Sequence, residues 1–350
     1  MRIWPIATAA VSVVLLSAAV VGVDRASVGA EPASTDAGGA EREPVSVGVI
    51  LNYLDDPFFV AIYEGLRAEA ARLGVKATVR SVTSNAELTD QAAQLRKLVA
   101  EGHDCYVVNP ITATNLVPAL RGIRRPIVNV DSPVDPAAAR RAGVRIRTYI
   151  GTDDLESGTL AGTHMAALLP DGGDLALVGG IADNVNSGVR LEGFERGIRG
   201  SRLRVVVRVN ADYNRTKAQI AAERILRTHP SLDGIFAVSD SMVLGIADAI
   251  RGTGKIGEIT VIGHDGNAEA LNRIQEEGSI SADVSQYPYV MGRMAIEACV
   301  AAARGAKLPA RVDAPIALLT PDNVGRAITA FPQPVEQYSD PFRRLLRRQG

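Results

Sequence analysis

The sequence predicts an α/β protein made of two similar lobes, each a doubly wound parallel sheet. Three observations point there. From Val45 onward, short runs rich in Val and Ile alternate with amphipathic helix patterns, the order that produces crossover-connected parallel sheets. Most of these runs are apolar throughout, as strands covered by helices on both faces require. The 350 residues suit one large or two medium domains, and a polar, irregular stretch over 133–147 sets a boundary near 150.

In order, strands are expected at 45–51 (VSVGVIL), 77–82, 104–109 and 126–130, then at 174–179, 203–209, 232–238, 258–263 and 279–284. Helix patterns fall near 57–73, 85–101, 153–169, 187–199, 214–228, 240–251, 266–276 and 289–304. The first helix opens in NYLDDPFFVAIYEGL (52–66). Asp56 is a candidate N-cap, because its carboxylate accepts free amides of the first turn. Pro57 suits the first helical position, where a missing N–H is no loss. Phe59, Ile62, Leu66, Ala70 and Leu73 recur at helical spacing as a buried stripe, which leaves Phe58 and Asp55 without a structural reason.

Composition narrows the function classes. The formal net charge of -1 gives no basic footprint for nucleic acid. Cys105 and Cys299 each sit in an apolar run and are expected as buried small hydrophobes rather than a disulfide. His103, His164, His229 and His264 are scattered, with no spacing that suits a metal. GTGKIG (252–257) matches a dinucleotide fingerprint in letters, but it follows a helix and precedes a strand, the reverse of the required context. With no nucleophile elbow or P-loop either, neither catalysis nor a cofactor is expected.

The chain begins with Arg2, an apolar run from Ile3 to Val23 and small residues at Val28 and Ala30. That is a signal peptide over 1–30, with an uncleaved anchor as the alternative, since the run is long enough to span a bilayer. Either way the folded part belongs outside the cytoplasmic membrane. Residues 31–44 read as a disordered linker.

In doubly wound sheets, ligands bind beyond the carboxyl ends of the strands. Those ends carry Asn52, Asp56, Phe58 and Phe59, then Asn109, Asp131 and Ser132 in the first half. In the second they carry Asp183, Asn186, Arg190, Asp212, Tyr213, Asn214, Ser239, Asp240, Asp265 and Gln286. Helix capping accounts for some of these singly, but not for Asp131, Arg190 or Gln286. Carboxylates that accept two hydroxyls, amides that donate and accept, and flat rings together suit a sugar.

From Val45 to about Val324 the chain resembles the periplasmic sugar-binding proteins of ABC importers, most closely the ribose-binding type. DDPFF, VVNP (107–110), VNVDS (128–132), RLEGF (190–194), ADYNR (211–215), FAVSDSMVLG (236–245), VIGHDG (261–266) and VSQYP (284–288) follow in that family's order. The resemblance implies two lobes, 45–150 with 286–315 and 151–285 with 316–326. They join at crossings near 150–152, 284–286 and 314–316. It also implies that Phe58 or Phe59 and Tyr213 sandwich a sugar ring, while Asn109, Asp131, Arg190, Asp265 and Gln286 bond its hydroxyls. Four positions depart from the ribose pattern. Ser132 replaces an arginine, Asp56 and Ser239 replace asparagines, and Asn52 replaces a serine. Asp56 is instead similar to the glucose/galactose-binding relatives. A hexose, another pentose or a sugar alcohol is therefore expected rather than ribose. The implied role is ligand-driven hinge closure in a monomer that delivers to an ABC permease, or alternatively reports to a membrane kinase or chemoreceptor. Residues 327–350 extend past the family pattern and are expected as a frayed tail, or as a basic amphipathic turn over FRRLLRR (342–348).

Overall fold

The computed structural model describes residues 43–182 and 184–347. The expected signal peptide over 1–30, residues 31–42 of the expected linker, and Asp183 lie outside the described residues. The first sheet is built from β1 (Ser46–Tyr53), α1 (Pro57–Leu73), β2 (Lys76–Val82), α2 (Leu88–Glu101), β3 (Cys105–Val108), α3 (Val117–Leu120), β4 (Ile127–Val130), α4 (Pro136–Arg141) and β5 (Thr148–Gly151). The second follows with α5 (Asp154–Leu168), β6 (Gly173–Gly179), α6 (Val185–Gly197), β7 (Leu203–Asn210), α7 (Arg215–Thr228), β8 (Gly234–Ala237), α8 (Asp240–Thr253), β9 (Thr260–Asp265), α9 (Ala268–Asn272) and β10 (Ala282–Gln286). A π-helical turn, Arg273–Glu277, prolongs α9. Then come α10 (Pro288–Ala303), β11 (Arg311–Asp313), β12 (Ile316–Leu319), α11 (Val324–Ala330) and α12 (Pro341–Arg347).

The two six-stranded sheets have matching orders, β11-β5-β4-β3-β1-β2 and β12-β10-β9-β8-β6-β7. Pairing is parallel throughout except for β12, which runs antiparallel to β10. The chain passes between the sheets three times: after β5, after β10 and between β11 and β12. The nine expected strands are all present. β5, β11 and β12 were not foreseen, being only three or four residues long. The 133–147 stretch is not a break between lobes. It holds α4 and leads into β5, which completes pairing with β4.

Period-two alternation explains how one strand serves two cores. Val47, Val49 and Leu51 of β1 pack with α1 and α10, while Ile50 packs on the other face with Leu95, Leu98 and Leu120. Each lobe also contains a helix pair in backbone contact. A Cβ on Gly65 would strike the Tyr289 carbonyl and one on Gly292 the Ile62 carbonyl, so α1 and α10 meet only because both positions are glycine. In the second lobe Gly158 and Gly193 serve α5 and α6 in the same way.

Three expectations are corrected. Cys105 and Cys299 form a disulfide from β3 to α10, their Cα atoms 5.6 Å apart across 194 residues. Phe58, not Phe59, heads the buried stripe of α1, since the Asp56–Pro57 start turns Phe58 inward at 9% exposure. As far as Arg347 the tail is not frayed but folds as a short amphipathic helix with Arg344 and Arg347 exposed. α12 packs on α10 with Phe342 fully buried, and Arg343 Nε donates to Glu297 Oε1 at 2.8 Å.

Candidate functional site

The carboxyl ends of both sheets face a cavity of about 60 Å³ between the lobes. A water needs about 10–15 Å³ by this measure, so the space holds about four to six waters, the scale of a small polar molecule.

The first lobe supplies Asn52, Tyr53, Asp56, Phe58, Phe59, Asn85, Ile111, Asp131 and Ser132 to the lining. Asp56 caps α1, its Oδ1 accepting the Phe58 amide at 2.9 Å. Its Oδ2 faces Tyr53 Oη at 3.4 Å and, across the cleft, accepts from Ser241 Oγ at 3.1 Å. The carboxyl thus serves both as cap and as cavity wall. Asp131 follows β4 with φ of 60°, a left-handed conformation that an L side chain adopts at a cost. Asn109 Nδ2 donates to Asp131 Oδ2 at 2.9 Å and to the Val130 carbonyl at 3.0 Å, and Ser132 Oγ donates to the same carboxylate oxygen at 3.2 Å. Tyr149 Oη donates to the Asp131 carbonyl at 2.5 Å.

The second lobe supplies Ile181, Asn184, Asn186, Arg190, Tyr213, Ser239 and Asp265, with Gln286 at the β10 crossing. Arg190 is buried; its Nε donates to Asp154 Oδ1 at 2.6 Å, its Nη1 to the Val238 carbonyl at 2.9 Å, and Nη1 stands 3.6 Å from Asp265 Oδ1. Burial works against its charge, but Asp154 and Asp265 more than offset that, so the guanidinium stays protonated. Tyr213 also lies in the left-handed region, φ 57°, and donates to Asn184 Oδ1 at 2.8 Å. Its ring lies where a Cβ on residue 180 would be, so Gly180 makes room for it. Asp265, φ 125°, accepts from Gln286 Nε2 at 2.7 Å. Ser239 Oγ is buried on the wall without a hydrogen-bond partner.

Burial raises the acids here. Asp131 is pushed up to about 6 against the pull of Arg190, and Asp265 likewise to about 6. Burial also raises Asp56. Beneath the floor, Asp240 and Asp283 are mutually close and fully buried; burial lifts Asp283 to about 7 and Asp240 well above the usual carboxylate range. His264, buried behind Asp265, is held neutral first by burial and then by Arg190.

Of the residues nominated from sequence, Asn52, Asp56, Phe58, Phe59, Asp131, Ser132, Asn186, Arg190, Tyr213, Ser239, Asp265 and Gln286 line this one cavity. Asn109 does not; it stands behind Asp131 and orients its carboxylate. Asn214 and Asp240 do not line it either. Asn214 caps α7 through Lys217, and Asp240 accepts from the Asn267 amide. Tyr53, Asn85, Ile111, Ile181 and Asn184 were missed. Tyr53 is the last residue of a strand expected to end at 51, and Asn85 was read as the start of a helix that begins at Leu88.

Residues 47–307 match the family model described as periplasmic binding protein domain. The chain is 29% identical over 282 residues to the ribose import binding protein of Bacillus subtilis (strain 168), which covers 80% of this chain and 88% of that protein. It is 28% identical over 265 residues to the D-allose-binding periplasmic protein of Escherichia coli (strain K12), covering 74% and 85%. An ABC transporter solute binding protein from Mycobacterium smegmatis, solved with bound glycerol, superposes with a TM-score of 0.74 at 26% identity, over 85% of this chain and 98% of that one. A doubly repeated sheet order, a cavity at the strand ends of both lobes and a family match spanning both sheets have one reading: this chain belongs to the periplasmic binding protein family, whose members bind solutes rather than transform them.

Proposed function

We propose that this protein binds a monosaccharide or related polyol between its lobes, closes over it by hinge motion and delivers it to an ABC importer at the outer face of the cytoplasmic membrane. The observation that carries the reading is the cavity lining: three carboxylates, one guanidinium, amides from both lobes and four aromatic rings around a space of small-molecule size. Hydroxyls at a ring's edge would meet Asp131, Arg190, Asp265, Asn52, Asn186 and Gln286, while C–H faces would meet Tyr213 and the Phe58–Phe59 pair. Charge-assisted bonds of about 1.5–3 kcal/mol each suffice to hold such a ligand once water is excluded. The relatives are named for polyhydroxylated molecules, as a ribose import binding protein and a D-allose-binding protein, and the structural neighbour was solved with bound glycerol.

Three thin crossings between the sheets favour hinge motion as the route of entry. Three bonds span the gap away from them: Asp56–Ser241 at 3.1 Å, Asn85 Nδ2 to the Asp212 carbonyl at 3.4 Å, and Asn186 Nδ2 to the Asp131 carbonyl at 3.4 Å. Export is supported by the buried Cys105–Cys299 disulfide, since such bonds persist in oxidising compartments.

The test is calorimetric titration with pentoses, hexoses, inositols and polyols. One or a few of them should bind, and Asp131→Ala should abolish that binding while the circular dichroism spectrum is kept. If no polyhydroxylated compound binds the intact chain, the sugar reading is wrong.

A further inference from the structure

We infer that the ligand carries a positive charge as well as hydroxyls, as an amino sugar or an amino-substituted polyol does. This rests on the reading of the cavity as a polyol site and narrows it. The lining presents the carboxylates of Asp56, Asp131 and Asp265, with Asp154 directly behind Arg190. The cation that faces them is Arg190, and its shortest ion pair, at 2.6 Å, is with Asp154, against 3.6 Å to Asp265. His264 adds no positive charge, because burial and Arg190 keep its ring neutral. The remaining ionisable neighbours, Tyr53, Tyr149, Tyr213, Asp240 and Asp283, supply none either.

Buried charge that is not matched is costly. Asp56 is a third carboxylate in the lining, and the hydroxyl of Ser132 is given to Asp131 without adding a positive charge there. A neutral sugar offers hydroxyl donors but leaves this imbalance in place. An ammonium group relieves it, and the aromatic walls of Tyr53, Phe58, Phe59 and Tyr213 suit a cation as well as a ring face. Ser239 Oγ, 3% exposed and without a partner, is a further acceptor waiting on the same wall.

Matched pairs decide the matter: D-glucosamine against D-glucose, D-galactosamine against D-galactose, and 1-amino-1-deoxysorbitol against sorbitol, titrated into the full chain at pH 7.5. In at least one pair the amino compound should bind tighter by about tenfold or more. Asp56→Asn, which retains a competent helix cap, should shrink that ratio several-fold. The preference should also fade as the pH falls through about 6, where Asp131 and Asp265 take up protons. If a neutral sugar binds and each amino partner binds equally or more weakly, the charge inference is overturned and the sugar reading stands. Silence in both columns overturns both.

Discussion

The two lobes repeat one strand order and one glycine-mediated helix contact, yet they distribute their buried charge differently. In the first lobe Asp56 and Asp131 stand at the cleft, but the ion-pair network lies elsewhere, among α1, α10 and α12. Glu69, Glu297 and Asp340 gather there with Arg72, Arg293 and Arg343, next to the disulfide and to Phe342 of α12. In the second lobe most of the buried charge is at the cleft: Arg190 and Asp265 on the wall, Asp154 behind Arg190, and Asp240 and Asp283 under it, while Arg273 pairs with Asp248 elsewhere. Its core is otherwise aliphatic, with Phe194 stacked on Phe236 at 4.5 Å. The difference separates two tasks. The first lobe's ion-pair network and staple hold a platform together, whereas in the second lobe the same kind of group is placed where a ligand can use it.

That comparison can be broken by mutation. The largest effect should come from Arg190→Met, which leaves Asp154 buried without its partner. We expect no measurable ligand binding and a loss of about 3–5 kcal/mol in urea denaturation. The double variant Arg190→Met/Asp154→Asn should regain much of the stability and none of the binding. A single Arg190 variant that still binds would remove the second lobe's claim on the site.

Next in size is the first lobe's staple. Cys105→Ala with Cys299→Ala should lower stability by about 2–4 kcal/mol while the dissociation constant stays within twofold. A large loss of affinity would show that the first lobe's staple is coupled to the cavity after all.

The smallest effect sharpens the contrast through pH. Asp283 is raised to about 7 in the folded protein, chiefly by burial. The folded chain therefore keeps a proton that the unfolded chain releases from about pH 4 upward. The stability linked to this group is complete below about pH 4 and is lost as pH rises through 7. Asp283→Asn, neutral at every pH, should match the parent near pH 4 and be the more stable of the two at pH 8. Thermal melts across that range measure it; an unchanged pH slope would mean that Asp240 holds the proton in its place.

Much of the site was legible because local rules put it there. A parallel strand ends where its apolar run ends, and the next few residues must face the cleft, so Asp131, Tyr213 and Asp265 could be named from position alone, whereas Arg190 reaches the cleft from inside α6. Asn109 shows the limit. It sits at such an end, but its amide is turned back onto Asp131, and nothing in its sequence context distinguishes a ligand contact from a support. Tyr53 and Asn85 were hidden by strand and helix boundaries that shifted by two or three residues.

What the chain determined by itself was the alternation of buried strands and helices, the helix starts and the polar groups that follow each strand. These depend on residues a few positions apart, where periodicity and capping act. Tertiary structure alone decided the Cys105–Cys299 bond, the burial of Phe342 against α10 and the gathering of Asp131, Asp154 and Asp265 around Arg190. Each of these joins residues far apart in the chain. Their energies depend on which surfaces meet and how much water is removed between them, and neither quantity exists until both sheets have formed.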